Sequence, residues 1–146
     1  MIRGALALAT ALAIAAAPPA LAARHGAFRT PSHNIVCGWY AGTGHSPAVI
    51  ECGIRSGLKP TPRRVHCRVT DPVDDRVSLT ATGRTMPVTC AGDPGPFVFA
   101  SSAKVLGYGK RWSAAGFTCT SRRTGLTCRN RRGHGFFLSR QHWRRF

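Results

Sequence analysis

The sequence predicts an all-β fold, a small disulfide-stabilised domain of β-hairpins forming a sheet or sandwich, with little helix after the N-terminal segment. Three observations point there. Past residue 22, no window of a dozen residues carries an i, i+3, i+4, i+7 apolar stripe free of Gly or Pro. Short β-rich runs recur instead between turn signals, with 16 Gly and 10 Pro as punctuation. All six cysteines also fall after residue 22, an even number that suits up to three disulfides in an exported domain.

Residues 1–22 read as a secretory signal peptide. Arg3 supplies the positive start, Gly4 to Ala17 is an apolar run, Pro18-Pro19 ends any helix, and Ala20-Leu21-Ala22 has the small-x-small form of a cleavage site. A membrane span is the competing reading. The run holds 14 residues, which as helix reach about 21 Å, short of a roughly 30 Å hydrocarbon core. Residues 23–146 are then one disulfide-bonded β domain with an Arg-rich C-terminal third, exported to the periplasm or the exterior, with no transmembrane span after cleavage.

Strands are expected over Asn34–Tyr40, Ala48–Ile54, Val65–Thr70, Arg76–Thr82, Pro87–Cys90, Phe97–Ala100, Phe117–Ser121, Leu126–Asn130 and Phe136–Ser139, each rich in β-branched or aromatic residues and bounded by Gly, Pro, Asn, Asp or Ser. Asp93-Pro-Gly-Pro96 is the clearest break, and Ser101 to Leu106 is expected to form one helical turn. Trp39-Tyr40, Trp112 and Phe117 read as core and hairpin packing. Asp71-Pro-Val-Asp-Asp75 reads as a polar turn between strands, and Gly133-His134-Gly135 as the turn into the strand at Phe136.

The cysteines stand at 37, 52, 67, 90, 119 and 128. No pair has the two- to four-residue gap of common zinc sites or of a thioredoxin-like motif, so structural disulfides are expected and no metal or other cofactor. Six cysteines allow 15 pairings. Local geometry favours Cys119 with Cys128: a turn at Arg122-Arg-Thr-Gly125 places Ser121 opposite Leu126 and those two cysteines opposite each other, within bridging distance. Cys37 and Cys52 bracket the turn-rich Ala41–Pro47 in a wider version of the same hairpin, which leaves Cys67 with Cys90. The two hairpins with a cystine form a weak internal echo, of the kind shared β-hairpin chemistry alone also produces.

Phe28-x-x-Pro31-Ser32-x-Asn34-x-x-Cys37 near the start, then Leu106-Gly-Tyr-Gly109, Gly116-Phe-Thr-Cys119, Gly125-Leu-Thr-Cys-Arg-Asn130, Gly133-His-Gly-Phe136 and Leu138-Ser-Arg140, resemble a family of small exported cysteine-containing bacterial proteins of unknown function. One departure is His33, where the family pattern usually has Gly; His enters the left-handed region more readily than most residues, so the turn can survive. The resemblance implies an exported cystine-bearing domain and brings no activity, substrate or catalytic residue with it.

Charge separates the function classes. The chain carries 21 Lys+Arg against 5 Asp+Glu, a formal net charge of +16. From Pro94 to Phe146 there are 11 basic residues and no acid. Glu51, Asp71, Asp74, Asp75 and Asp93 are the only carboxylate side chains, a narrow basis for a carboxylate dyad or a Ca²⁺ cage. No Gly-x-Ser-x-Gly elbow, Walker loop, His-Glu-x-x-His or dinucleotide fingerprint occurs. Arg122, Arg123, Arg129, Arg131, Arg132, Arg140, Arg144 and Arg145, interleaved with Phe136, Phe137, Trp143 and Phe146, form a candidate anion-binding surface.

The expected function is therefore a non-enzymatic extracytoplasmic binding module, monomeric, that engages an anionic partner: lipopolysaccharide, an acidic glycan, nucleic acid or an acidic protein. The first alternative is a small secreted His-dependent hydrolase such as a nuclease. His134 and His142, with Arg140 or Lys110 as phosphate clamp, are its first candidates. The second is a cationic secreted effector that acts on membranes.

Overall fold

The computed structural model describes residues 24–63 and 65–146, so the expected signal peptide lies outside the described residues. The chain forms two antiparallel sheets whose inner faces share one core, a sandwich. The first half supplies β1 (His25–Arg29), β2 (Ile35–Tyr40), β3 (Val49–Ile54), β4 (Arg76–Thr80) and β5 (Met86–Pro87), followed by a 3-10 helix, Gly95–Phe99, and by β6 (Lys104–Val105). The second half supplies β7 (Arg111–Ala114), β8 (Phe117–Arg122), β9 (Gly125–Asn130), β10 (Gly135–Leu138) and β11 (Trp143–Arg145). Strand orders are β5-β4-β3-β2-β1-β6 and β11-β10-β9-β8-β7. Each half is an up-and-down meander of five strands, and β6 adds a short parallel edge to β1.

Alternation around the cysteines sets which face is buried. In β8, Phe117, Cys119 and Ser121 point inward; in β9, Leu126, Cys128 and Asn130 do, with Phe136 and Leu138 of β10 beside them. Across the core lie Phe28, Ile35, Cys37, Trp39, Ile50, Cys52, Ile54, Val77 and Leu79. Cystines join Cys37 to Cys52, Cys67 to Cys90 and Cys119 to Cys128. The first and third link directly opposed residues of adjacent strands, with Cα atoms 4.0 and 4.1 Å apart.

The echo between the two hairpins extends to the whole meander. In each half the cystine joins the second strand to the third, and an aromatic residue of the first strand stands opposite the first cysteine: Phe28 opposite Cys37, Trp112 opposite Cys119. These two rings meet across the core, centroids 4.9 Å apart.

Several expected elements differ. Val65–Thr70 is not a strand: Val65 and Val69 stay exposed and the run finds no neighbour to pair with. Phe97–Ala100 is not a strand either, because Pro94, Gly95 and Pro96 start a 3-10 turn over Gly95–Phe99. That turn lays Phe97 over Gly53 and Phe99 over Gly38 on the outer face of the first sheet; a Cβ on Gly53 would stand 2.6 Å from Phe97 Cζ. The helical turn expected at Ser101–Leu106 gives way to β6 at its end, drawn out by pairing with Phe28 and Arg29. Tyr40 is exposed and stacks on His25 rather than packing in the core. His33 takes the left-handed conformation, φ 56°.

Candidate functional site

The outward residues of the second sheet follow from its inward ones. With Phe117, Cys119 and Ser121 buried, Thr118, Thr120 and Arg122 face out; β9 presents Thr127 and Arg129 beside them. Backbone register then aligns one residue from each strand into a row: Arg111, Thr120, Thr127, Phe137, Arg144. Five strands at about 4.8 Å place the end arginines of this row about 19 Å apart. Arg122 and Arg129 flank it, and together the face forms an open concavity of about 450 Å³. All four arginines are exposed.

The aromatics of this face have neighbours on two sides, although Phe146 remains 36% exposed. Beneath them lie glycines: a Cβ on Gly125 would come within 2.7 Å of the Phe137 ring, and one on Gly135 within 2.9 Å of Phe146. Above them lie guanidiniums. Arg144 sits 5.8 Å from the Phe137 centroid and 5.4 Å from that of Phe146, and Arg129 is also 5.4 Å from Phe146. Such contacts fix the direction of long side chains that otherwise range freely.

A second concavity, of about 270 Å³, adjoins the first around the β8–β9 turn and shares Arg122, Thr124 and Gly125 with it. Four loops meet there: the β1–β2 turn with Ser32 and Asn34, the β6–β7 loop with Tyr108, the β8–β9 turn with Arg123, and the β10–β11 turn with Arg140. Arg123 lies 5.1 Å over the Tyr108 ring.

The eight arginines singled out in the sequence thus divide. Arg122, Arg129 and Arg144 share the outer face, and Arg123 and Arg140 line the adjoining recess. Arg131 and Arg132 stand at the β9–β10 turn beside Ala81 and Thr82. Arg145 turns to the other side of β11, where Nη1 donates to the Thr85 carbonyl at 3.4 Å. Sequence reasoning missed Arg111 and the threonines. The signal for the threonines was the strict alternation Phe-Thr-Cys-Thr-Ser-Arg around Cys119. His134 and His142 sit beyond opposite ends of β10, whose four residues span about 13 Å, so this pair does not share a site.

The acids are placed elsewhere. Arg76, only 3% exposed, donates through Nε to Asp75 (3.1 Å) and through Nη1 to Asp93 (3.2 Å) and Glu51 (3.4 Å). Nη2 donates to the Asp93 carbonyl at 3.1 Å. Among the described residues these are the only ion pairs, and they hold three of the chain's five carboxylates on the first sheet and its flanking loops. Burial raises the Glu51 carboxyl above its ordinary value, against the opposing pull of Arg76. For Arg76, burial pulls downward but the surrounding carboxylates outweigh it, Asp75 foremost, and the guanidinium is held more firmly charged. Among the described residues, no acidic side chain lines either concavity of the second sheet.

Among the described residues, no helix is long and apolar enough to cross a membrane. A scan against protein families matches residues 6–146 to a family of unknown function, DUF6636. No curated protein and no solved structure matches.

Proposed function

The chain belongs to that family, and with no activity to inherit from it we propose that the protein is an exported, non-enzymatic binding module. It acts in the periplasm or outside the cell, as a monomer, and engages an anionic partner through the outer face of its second sheet. The observation that carries this reading is the row Arg111–Thr120–Thr127–Phe137–Arg144 with Arg122 and Arg129 beside it. Four guanidiniums and a ladder of hydroxyls on one open face, with no acidic side chain among its described residues, offer charge-assisted and neutral hydrogen bonds at strand spacing. The clustering of three carboxylates around Arg76 supports it further, because those acids are engaged and do not neutralise the arginine face. The N-terminal segment supports export, and the three cystines are compatible with an oxidising compartment.

The test is a salt-graded binding panel on the oxidised protein with heparin, DNA, lipopolysaccharide and a neutral glycan. Affinity for the anionic ligands should fall steeply with salt and be absent for the neutral one. Replacing Arg129 and Arg144 together with Ala should weaken binding about tenfold or more, since a hydrogen bond to a charged group contributes about 1.5–3 kcal/mol. Absence of binding to every anionic ligand at about 50 mM salt, where such contacts are strong, would overturn the proposal.

A further inference from the structure

The recess beside the arginine face has the features of a selective end-site. Its four contributing loops lie at one end of the sandwich, an arrangement in which a rigid scaffold carries a binding surface on its connections. The loops are tied. Ser139 Oγ donates to the His142 carbonyl at 2.8 Å and accepts from the His142 N–H at 3.0 Å, closing the β10–β11 turn. Thr30 Oγ1 accepts from the Ile35 N–H at 3.3 Å, closing the β1–β2 turn, and Asn34 Nδ2 donates to Ser56 Oγ at 3.2 Å, tying that turn to the segment after β3. Tyr108 is covered by Arg123. Three guanidiniums, those of Arg122, Arg123 and Arg140, border the space together with the hydroxyls of Ser32 and Thr124 and the amide of Gln141.

At about 270 Å³ the recess is below the usual size for drug-like ligands and suits one small ring. Its chemistry is that of a hydroxylated ring bearing one oxyanion: guanidinium forks for the charge, neutral donors and acceptors for the hydroxyls. Because Arg122, Thr124 and Gly125 border both spaces, a chain that ends in the recess can continue onto the threonine–arginine face without leaving the surface. A nucleic acid fits less well. Base stacking needs free aromatic faces; Phe137 is half-buried with Arg144 over it and Tyr108 lies under Arg123, so of these three rings only Phe146, 36% exposed, has a face to offer.

Resting on the binding function above, we propose that the recess at the β8–β9 turn receives the terminal anionic sugar of a linear acidic glycan, whose following residues run across the Arg111–Arg144 row. The oxyanion is a sugar carboxylate or a sugar phosphate ester. Recognition is thus of a chain end and not only of a charged polymer.

The experiment uses calorimetry and amide chemical shifts on the oxidised protein. The probes are glucuronate, a hexose phosphate, inorganic phosphate, uronate oligomers of increasing length, and a single-stranded oligonucleotide of matched charge. Either glucuronate or the hexose phosphate should bind and shift the amides of Tyr108, Arg123 and Arg140, and comparison of the two identifies the oxyanion. Affinity should rise with oligomer length. A variant with R123A and R140A, both exposed positions, should lose monosaccharide binding tenfold or more and keep the length-dependent gain. R129A with R144A should do the reverse. If the long oligomers bind but neither monosaccharide does, the end-site falls while the binding face stands. If inorganic phosphate binds as tightly as the sugars, or the oligonucleotide outcompetes the uronate oligomers, the sugar assignment is overturned. Absence of binding by every probe removes the end-site, and the binding face falls with it when heparin, DNA and lipopolysaccharide fail to bind as well.

Discussion

Replacing Arg76 with Met should remove a large share of the domain's stability, and by an amount that depends on pH. The side chain is 4% exposed and makes four donor contacts, to Asp75, Glu51, Asp93 and the Asp93 carbonyl. Taking away one partner of a buried ionic group costs about 3–5 kcal/mol, because charge is left without compensation. The carboxylate side chains keep some water, at 31% exposure for Glu51 and Asp75 and 72% for Asp93, which places the expected loss at the lower end, about 3 kcal/mol. Domains of this kind have about 5–15 kcal/mol in all. Urea unfolding of the oxidised protein, followed by the fluorescence of Trp39 and Trp112, measures the change; guanidinium is unsuitable because it screens the charges. Near pH 4, where the raised Glu51 carboxyl takes up its proton, the deficit should be smaller than at pH 7. A variant as stable as the parent at pH 7, or one with the same deficit at both pH values, would refute this account of the cluster.

Three other predictions concern single features. Since the Glu51 carboxyl is raised by burial above 4.5, its favourable contribution is complete below that ordinary value and disappears as pH rises through the raised one. Glu51→Gln should therefore be more stable than the parent at pH 7 and match it near pH 3 in the same urea titrations; lower stability at pH 7 would contradict this. Asn130, 5% exposed, donates through Nδ2 to the carbonyls of Thr80 (3.0 Å) and Gly83 (2.9 Å) and accepts from the N–H groups of Arg132 (3.0 Å) and His134 (3.1 Å). Asn130→Ala should lose about 2–4 kcal/mol, and Asn130→Asp more, because it turns an oxygen toward two carbonyls; thermal unfolding of the two variants gives the order. Under mild reduction of the folded protein, alkylation and peptide mapping should label Cys67 and Cys90 first. Cys90 is exposed and Cys67 half-buried, whereas the other four cysteines have no exposure.

The fold class was readable because its signals are local. Hairpins β2–β3 and β8–β9 each carry inward-pointing cysteines at matched distances from a turn, so alternation fixed which residues face each other. What escaped was pairing between distant segments. β1 buries a single large side chain, Phe28, within His-Gly-Ala-Phe-Arg, and β6 is two residues long and extends only because β1 lies beside it. Val65–Thr70 shows the converse: β-forming residues without a neighbour do not make a strand. At the candidate site, the surplus of arginine was plain, but its division among a sheet face, a recess and two outlying positions depends on the pleat and the loops. Arg145 and Arg144 are adjacent in sequence and point to opposite sides.

No cystine crosses between the two sheets. Cys37–Cys52 and Cys67–Cys90 lie in the first half of the chain and Cys119–Cys128 in the second, so one run of backbone after Cys90 is the sole covalent tie between the halves. A single proteolytic cut in the loop between β6 and β7 would turn a unimolecular fold into a two-fragment complex. Its persistence would then follow dilution, as it does for any pair of subunits.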